Sequence, residues 1–89
     1  MKPAPAAAAY DFEVRLDFIL KQVREEVIRA ASMHAQFASP HEGYAIIQEE
    51  VDELWEDIKK NKGTQPHAII EAKQVAAMGV RYMMDIQPR

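Results

Sequence analysis

The stretch 48–57, QEEVDELWED, holds the residues most suited to chemistry, because six of its ten side chains are carboxylates. Carboxylate oxygens are the preferred ligands of hard cations such as Mg²⁺. If the stretch is helical, successive residues are about 100° apart around the axis, and the acids divide into two sets. One set faces away from the apolar side and is expected to be solvated: Glu49, Asp52 and Glu56. The other set lies on the flank of the apolar side: Glu50, Glu53 and Asp57.

Glu50 and Glu53 are spaced i and i+3, so their charges are neighbours on one helix and repel each other. A bound cation offsets this repulsion, although the same spacing is common on acidic helices without a ligand. Glu71 follows the short connection NKGTQP. If that connection joins two antiparallel helices, a rise of about 1.5 Å per residue brings Glu71 within a turn or so of Glu53. We therefore expect three carboxylates to converge on a metal site.

The spacing of apolar residues predicts three helices and no strand, at about 10–36, 40–62 and 65–86. The sequence thus predicts the all-α class. Residues 1–9, rich in Ala and Pro, are expected to form a flexible N-terminal arm, and 10–87 a single helical domain. The arm lacks the Leu-rich segment of a signal peptide.

Two helix starts are expected from their capping residues. Ser39, with Pro40 and Glu42 behind it, has the pattern of an N-cap and capping box. Thr64 is the expected N-cap of the third helix, and Gly63 the expected residue after the second.

More apolar surface is present than three helices of an 89-residue chain can bury, because the third helix is apolar around most of its circumference. The second helix is expected to turn these residues to the core: Tyr44, Val51, Leu54, Trp55 and Ile58. We therefore predict a homo-oligomer, dimer or tetramer, in which three-helix protomers form a four-helix-bundle-like core.

Composition excludes several classes of function. The net charge of −3 and the dispersed basic residues argue against nucleic-acid binding, which normally requires a basic patch. No apolar run approaches the roughly 18 residues of a membrane span. Cys is absent, which excludes thiolate zinc sites and cysteine nucleophiles and suits a reducing compartment. A cytoplasmic protein without a membrane partner is the expectation.

The segments EGYAIIQEEVDELWEDIKK and AIIEAKQVAAMGVRYMMD together resemble the MazG-like superfamily of all-α NTP pyrophosphohydrolases. That family carries Glu-x-x-Glu on one helix and Glu-x-x-Asp on the next. Glu50 and Glu53 match the first motif, and Glu71 begins the second. Gln74 stands where the family has Asp, and its amide brings no charge and cannot act as a base.

The resemblance implies a Mg²⁺-dependent enzyme, sometimes using Mn²⁺, that hydrolyses a (d)NTP to the (d)NMP and pyrophosphate and so cleans the nucleotide pool. It implies that Glu50, Glu53 and Glu71 are catalytic, and that they bind the metal together with Gln74. The cations near these helices are candidates for phosphate contacts, or else simple solvated charges: Lys73, Arg81 and Lys60.

Two other interpretations remain open. Because of Gln74, the chain could be a relative that binds nucleotide or metal without turnover. It could also be a helical oligomerisation module without a ligand, in which case the three glutamates would not converge. The three histidines lack metal-binding spacing and are expected to be structural or solvated: His34, His41 and His67.

Overall fold

The computed structural model describes residues 6–88, which form three α-helices. They are α1 (Ala6–Met33), α2 (Pro40–Lys59) and α3 (Pro66–Asp85). Residues 6–88 contain no strand, which confirms the all-α prediction and its three helices. No helix within this range is long and apolar enough to cross a membrane. Of the predicted arm, residues 1–5 lie outside the described residues, whereas 6–9 belong to α1, which begins earlier than predicted.

The start of α2 is the predicted one. Ser39 has an extended backbone, and its hydroxyl accepts a hydrogen bond from the Glu42 amide at 3.1 Å. The Glu42 carboxylate in turn accepts one from the Ala38 amide at 2.8 Å. Two backbone donors at the helix start are thereby satisfied, which fixes where α2 begins.

The turn between α2 and α3 differs from the prediction. The left-handed residue after α2 is Asn61, with φ of 58°, and not Gly63. Asn tolerates this conformation better than most residues, so α2 ends at Lys59. The N-cap of α3 is Gln65 and not Thr64, and its side chain makes no capping hydrogen bond. The turn between α2 and α3 therefore lies within a few residues of its predicted position.

Both outer helices pack on α3. Helices α2 and α3 form the expected antiparallel hairpin, whereas α1 packs along α3 and its backbone stays apart from that of α2 in the described chain. The small core consists of six residues: Val23, Val27, Ala30, Phe37, Ala77 and Met78.

The face of α2 that packs on α3 is not the predicted one. Trp55 and three of its expected core neighbours are exposed to solvent: Tyr44, Val51, Trp55 and Ile58. The contact with α3 is rotated by about a quarter turn, onto less accessible residues: Gly43, Ile46, Ile47, Glu50 and Leu54. Gly43 permits the close approach, because its backbone lies against the Tyr82 ring. The rotation carries Glu50 into the seam between the helices.

Candidate metal centre

Three carboxylates converge where α2 packs on α3. Glu50 is half-buried, Glu53 is exposed and Glu71 is buried, with 8% of its surface accessible. One oxygen of each lies within 4.8 Å of the other two. The expected convergence is therefore confirmed, and the triad could hold a metal ion. That these residues bind metal in solution stays a prediction.

The triad brings three carboxylates together, and at least one of their oxygens lacks a hydrogen-bond partner in the protein. One oxygen of Glu71, Oε2, is buried and has no hydrogen-bond partner. Burial, and then the neighbouring Glu53, raise the pKa of Glu71. Burial raises the pKa of Glu50 to about 7, with further contributions from Glu53 and Glu71. An unpartnered buried carboxylate oxygen normally requires a proton, a hydrogen-bond donor or a cation.

These dimensions fit a divalent cation. Magnesium binds oxygen at about 2.0–2.1 Å in octahedral geometry, so adjacent ligand oxygens are about 3 Å apart and opposite ones about 4.2 Å apart. The three oxygens, now within 4.8 Å of one another, would have to move closer to bind one ion, and Glu53, being exposed, is free to change rotamer. All three donors are carboxylate oxygens, which suit Mg²⁺ or Mn²⁺ better than softer metals.

His67 lies beside the triad, and this position of His67 was not predicted from the sequence. Its Nδ1 is 2.7 Å from Asp57 Oδ2, and its Nε2 is 3.4 Å from Glu71 Oε1. The hydrogen bond to Asp57 is the main reason that the pKa of His67 is raised. The i, i+4 spacing of His67 and Glu71 was the available signal in the sequence. His67 joins the two helices of the hairpin and brings a positive charge, when protonated, to Glu71.

A cavity of about 520 Å³ opens between α1 and the hairpin, next to the triad. Glu50 and Gln74 lie in its wall, so the site and the cavity share residues. Apolar side chains, among them Phe37 and Met78, line another part of it. The volume falls within the roughly 300–1,000 Å³ of typical small-molecule sites.

A fourth carboxylate lies on the α1 side of this cavity. Glu26 is 7% exposed and accepts two hydrogen bonds from Arg29, at 3.0 and 2.6 Å. The Arg29 hydrogen bond is the largest cause of the lowered pKa of Glu26, and the nearby side-chain amide of Gln74 also lowers it. Gln74, on α3, lines the same cavity as Glu26.

The three predicted phosphate contacts occupy different places. Arg81 is buried, lines the cavity, stacks on Phe37 at 4.5 Å and donates to the Ala35 carbonyl at 2.9 Å. Lys73 lines a separate groove between α1 and α3. Lys60 is exposed at the C-cap of α2, near the hairpin turn. The structure therefore brings Arg81 to the cavity and leaves the two lysines outside it.

Comparison of the chain with protein-family models, with curated proteins and with solved structures finds no match. The chain is a small all-α protein of three helices with an acidic cluster.

Proposed function

We propose that this protein is a Mg²⁺-dependent nucleoside triphosphate pyrophosphohydrolase of the MazG-like kind. The observation that carries the proposal is the convergence of Glu50, Glu53 and Glu71 within 4.8 Å, with a buried, unpartnered oxygen on Glu71. The adjoining cavity of about 520 Å³ supports it, because a nucleotide needs space next to the metal.

Each residue of the candidate site would have a distinct role in hydrolysis. Glu50, Glu53 and Glu71 would hold Mg²⁺, and Mn²⁺ would suit the same oxygens. The bound ion would screen the triphosphate, orient it and lower the pKa of a bound water. Water attack at the α-phosphorus then releases pyrophosphate and leaves the nucleoside monophosphate. Gln74 and Arg81 line the cavity, and Arg81 supplies a fixed positive charge to it.

The test is to incubate the protein with each dNTP and rNTP in Mg²⁺ and to measure pyrophosphate. We expect release with at least one nucleotide, and a loss of at least 100-fold in Glu53→Gln, which keeps the shape of the side chain but removes its charge. Glu56→Gln is the matched control, because Glu56 is on the same helix but pairs with Lys59 at 2.6 Å. If no nucleotide yields pyrophosphate, this chain is not such an enzyme.

The second candidate is a relative that binds metal or nucleotide without turnover, and Gln74 favours it because its amide is no base. This candidate predicts that Mg²⁺ raises the melting temperature while no pyrophosphate appears, since any ligand of the native state stabilises it. If Gln74 is a catalytic defect, Gln74→Asp should raise the rate of hydrolysis.

The proposed assembly is a homo-oligomer. It is supported by the number of large apolar side chains that the single chain leaves exposed on all three helices.

A further inference from the structure

The imidazole ring of His67 lies between an acid of α2 and an acid of α3. Its Nδ1 is 2.7 Å from Asp57 Oδ2, and its Nε2 is 3.4 Å from Glu71 Oε1. The first distance is that of a close hydrogen bond, whereas the second is longer than an ordinary hydrogen bond between nitrogen and oxygen. Asp57 therefore holds one ring nitrogen, and the other faces a member of the carboxylate triad.

The hydrogen bond to Asp57 determines which nitrogen of a neutral His67 carries the proton. An ionised carboxylate only accepts hydrogen bonds, so the proton of the neutral ring lies on Nδ1. Nε2 then presents a lone pair towards Glu71. Histidines that bind metal ions have this arrangement, in which one ring nitrogen donates to a carboxylate or a carbonyl and the other binds the ion. Asp57 thus orients His67 as a metal ligand would be oriented.

The spacing of His67 and Glu71 allows both side chains to bind the same ion. They are four residues apart on α3, so they are neighbours on one face of the helix. Adjacent ligands of an octahedral ion are about 3 Å apart, and the 3.4 Å between Nε2 and Oε1 is close to this value. The His67 side chain is 69% exposed, so little packing opposes the small movement that is needed.

The triad leaves ligand positions open on an ion. Glu50, Glu53 and Glu71 would each supply an oxygen, whereas an octahedral ion takes six ligand atoms. The buried Glu71 Oε2 has no hydrogen-bond partner, which points to a cation at this place independently of His67. His67 would fill one of the positions that the three carboxylates leave open.

We propose that His67 binds the metal ion of the candidate centre through Nε2, with Asp57 positioning the ring, so that the centre favours Mn²⁺ over Mg²⁺. Imidazole nitrogen is a ligand of first-row transition ions, whereas Mg²⁺ is bound through oxygen. Mg²⁺ therefore gains only the carboxylates, and Mn²⁺ gains the carboxylates and the ring. The inference deepens the proposed metal centre and rests on it, but it does not rest on nucleotide hydrolysis.

A different role for His67 would be a bridge between the two helices of the hairpin. A protonated ring pairs with Asp57 and Glu71 at the observed distances and ties α2 to α3. This role predicts no bond between Nε2 and a bound ion. It also predicts that removal of the ring lowers stability without changing which ion the protein prefers, so spectroscopy and ion selectivity distinguish the two roles.

The first measurement is electron spin echo spectroscopy of the protein with stoichiometric MnCl₂ at about pH 8, because a protonated imidazole cannot bind an ion. A nitrogen bound directly to Mn²⁺ modulates the echo. We expect this modulation in wild type and its loss in His67→Gln. His41→Gln is the matched control, because His41 is also exposed but lies at the start of α2, more than two turns before Glu50. This control should keep the modulation.

The second measurement is the affinity for Mn²⁺ and for Mg²⁺, from titration of free Mn²⁺ with MgCl₂ as competitor. In His67→Gln the affinity for Mn²⁺ should fall by about tenfold or more, while that for Mg²⁺ should change by less than about twofold. Asp57→Asn keeps the ring but weakens its orientation. This variant should keep the nitrogen modulation and lose less affinity for Mn²⁺ than His67→Gln does.

The outcomes separate this inference from the proposed function. Bound Mn²⁺ without nitrogen modulation, or equal losses of Mn²⁺ and Mg²⁺ affinity in His67→Gln, overturns the role of His67 and leaves the carboxylate centre standing. Modulation that persists in His67→Gln assigns the nitrogen to another residue and overturns it as well. If Mn²⁺ does not bind at all, the centre fails together with this inference. Pyrophosphate release is scored separately, so failure of the enzyme is distinct from failure of the His67 ligand.

Discussion

Glu71 is the residue on which the candidate site depends most. It is buried, one of its oxygens has no partner, and its neighbours Glu50 and Glu53 carry the same charge. A group of this kind destabilises the native state unless a cation or a proton neutralises it. If the triad binds a cation, as we propose, its affinity for the ion is gained at the expense of the stability of the metal-free protein.

This exchange predicts an unusual mutant. Glu71→Gln removes the buried charge and should raise the free energy of unfolding of the metal-free protein at pH 8 by on the order of 1 kcal/mol. The same variant should lose the increase in melting temperature that Mg²⁺ gives to wild type. Denaturant unfolding with EDTA and with MgCl₂ measures both effects. Asp52→Asn, an exposed acid on the outer side of α2, is the control and should change neither. A Glu71→Gln protein that Mg²⁺ still stabilises would exclude Glu71 as a ligand.

The raised pKa values predict how stability depends on pH. Glu50 titrates near pH 7 in the folded protein and near 4.5 when unfolded, and the pKa of Glu71 is raised as well. The folded state therefore holds protons more tightly, so this contribution to stability is complete below about pH 4.5 and is lost as pH rises through 7. His67, with a raised pKa, acts in the same direction.

We accordingly expect the melting temperature of the EDTA-treated protein to fall between pH 5.5 and 8. Saturating Mg²⁺ should oppose the fall, because deprotonated carboxylates bind the ion more tightly. Thermal melts at four pH values, with and without Mg²⁺, measure the effect. A metal-free melting temperature that rises over this interval would contradict the assigned pKa shifts.

At the residue scale, spacing was sufficient to find Glu50, Glu53 and Glu71, because i, i+3 neighbours and a short hairpin leave few arrangements. Spacing was not sufficient to find Glu26 or His67. Glu26 lies on α1, and no spacing along the sequence relates it to Gln74 on α3. His67 could have been found from its spacing with Glu71, but its pairing with Asp57 depends on the position of the turn.

At the scale of elements, the helices were predictable and their orientation was not. Capping at Ser39 fixed the start of α2 because it depends on four adjacent residues. The predicted rotation of α2 is wrong because its sequence has two apolar sides, one that packs on α3 and one that the chain leaves exposed. The stripe that contains Trp55 has the spacing of a core face, yet it faces outward.

The close approach of α2 and α3 gives a prediction for Gly43. A Cβ there would lie 2.6 Å from Tyr82 Cδ2 and 3.2 Å from Phe37 Cδ2. Gly43→Ala should therefore cost about 1–3 kcal/mol of stability by overpacking, although Ala favours a helix. Gly79→Ala is the control, because an added methyl there meets no atom within 4 Å. Urea unfolding compares the two, and a Gly43→Ala protein as stable as wild type would mean that the helices are farther apart.

At the scale of the whole molecule, the predicted excess of apolar surface agrees with 17 large hydrophobic residues that are exposed on the described chain. If a dimer buries part of this surface, unfolding and dissociation are linked, and stability depends on concentration. Each tenfold increase in concentration adds about 1.4 kcal/mol. The melting temperature should therefore rise by several degrees, on the order of 5 °C, for a domain of this size.

Thermal melts at about 2, 20 and 200 µM check this expectation. Val80→Glu is the comparison variant, because it places a charge among the exposed apolar residues of α3. Its melting temperature should be lower and independent of concentration. The excess of exposed apolar surface was predictable from composition because burial depends on totals. The position of that surface on α2 was not, since it required knowing which side of α2 packs on α3.

The arrangement of α1 has a consequence for the order of folding. The three triad carboxylates belong to one hairpin, and in the described chain the backbone of α1 approaches α3 but not α2. Contacts between segments close in sequence form fastest, because they close the shortest loops. We therefore expect the α2–α3 hairpin to form early, with the complete triad within it, and α1 to join afterwards. Magnesium present during refolding would then act on an intermediate that still lacks one wall of the cavity.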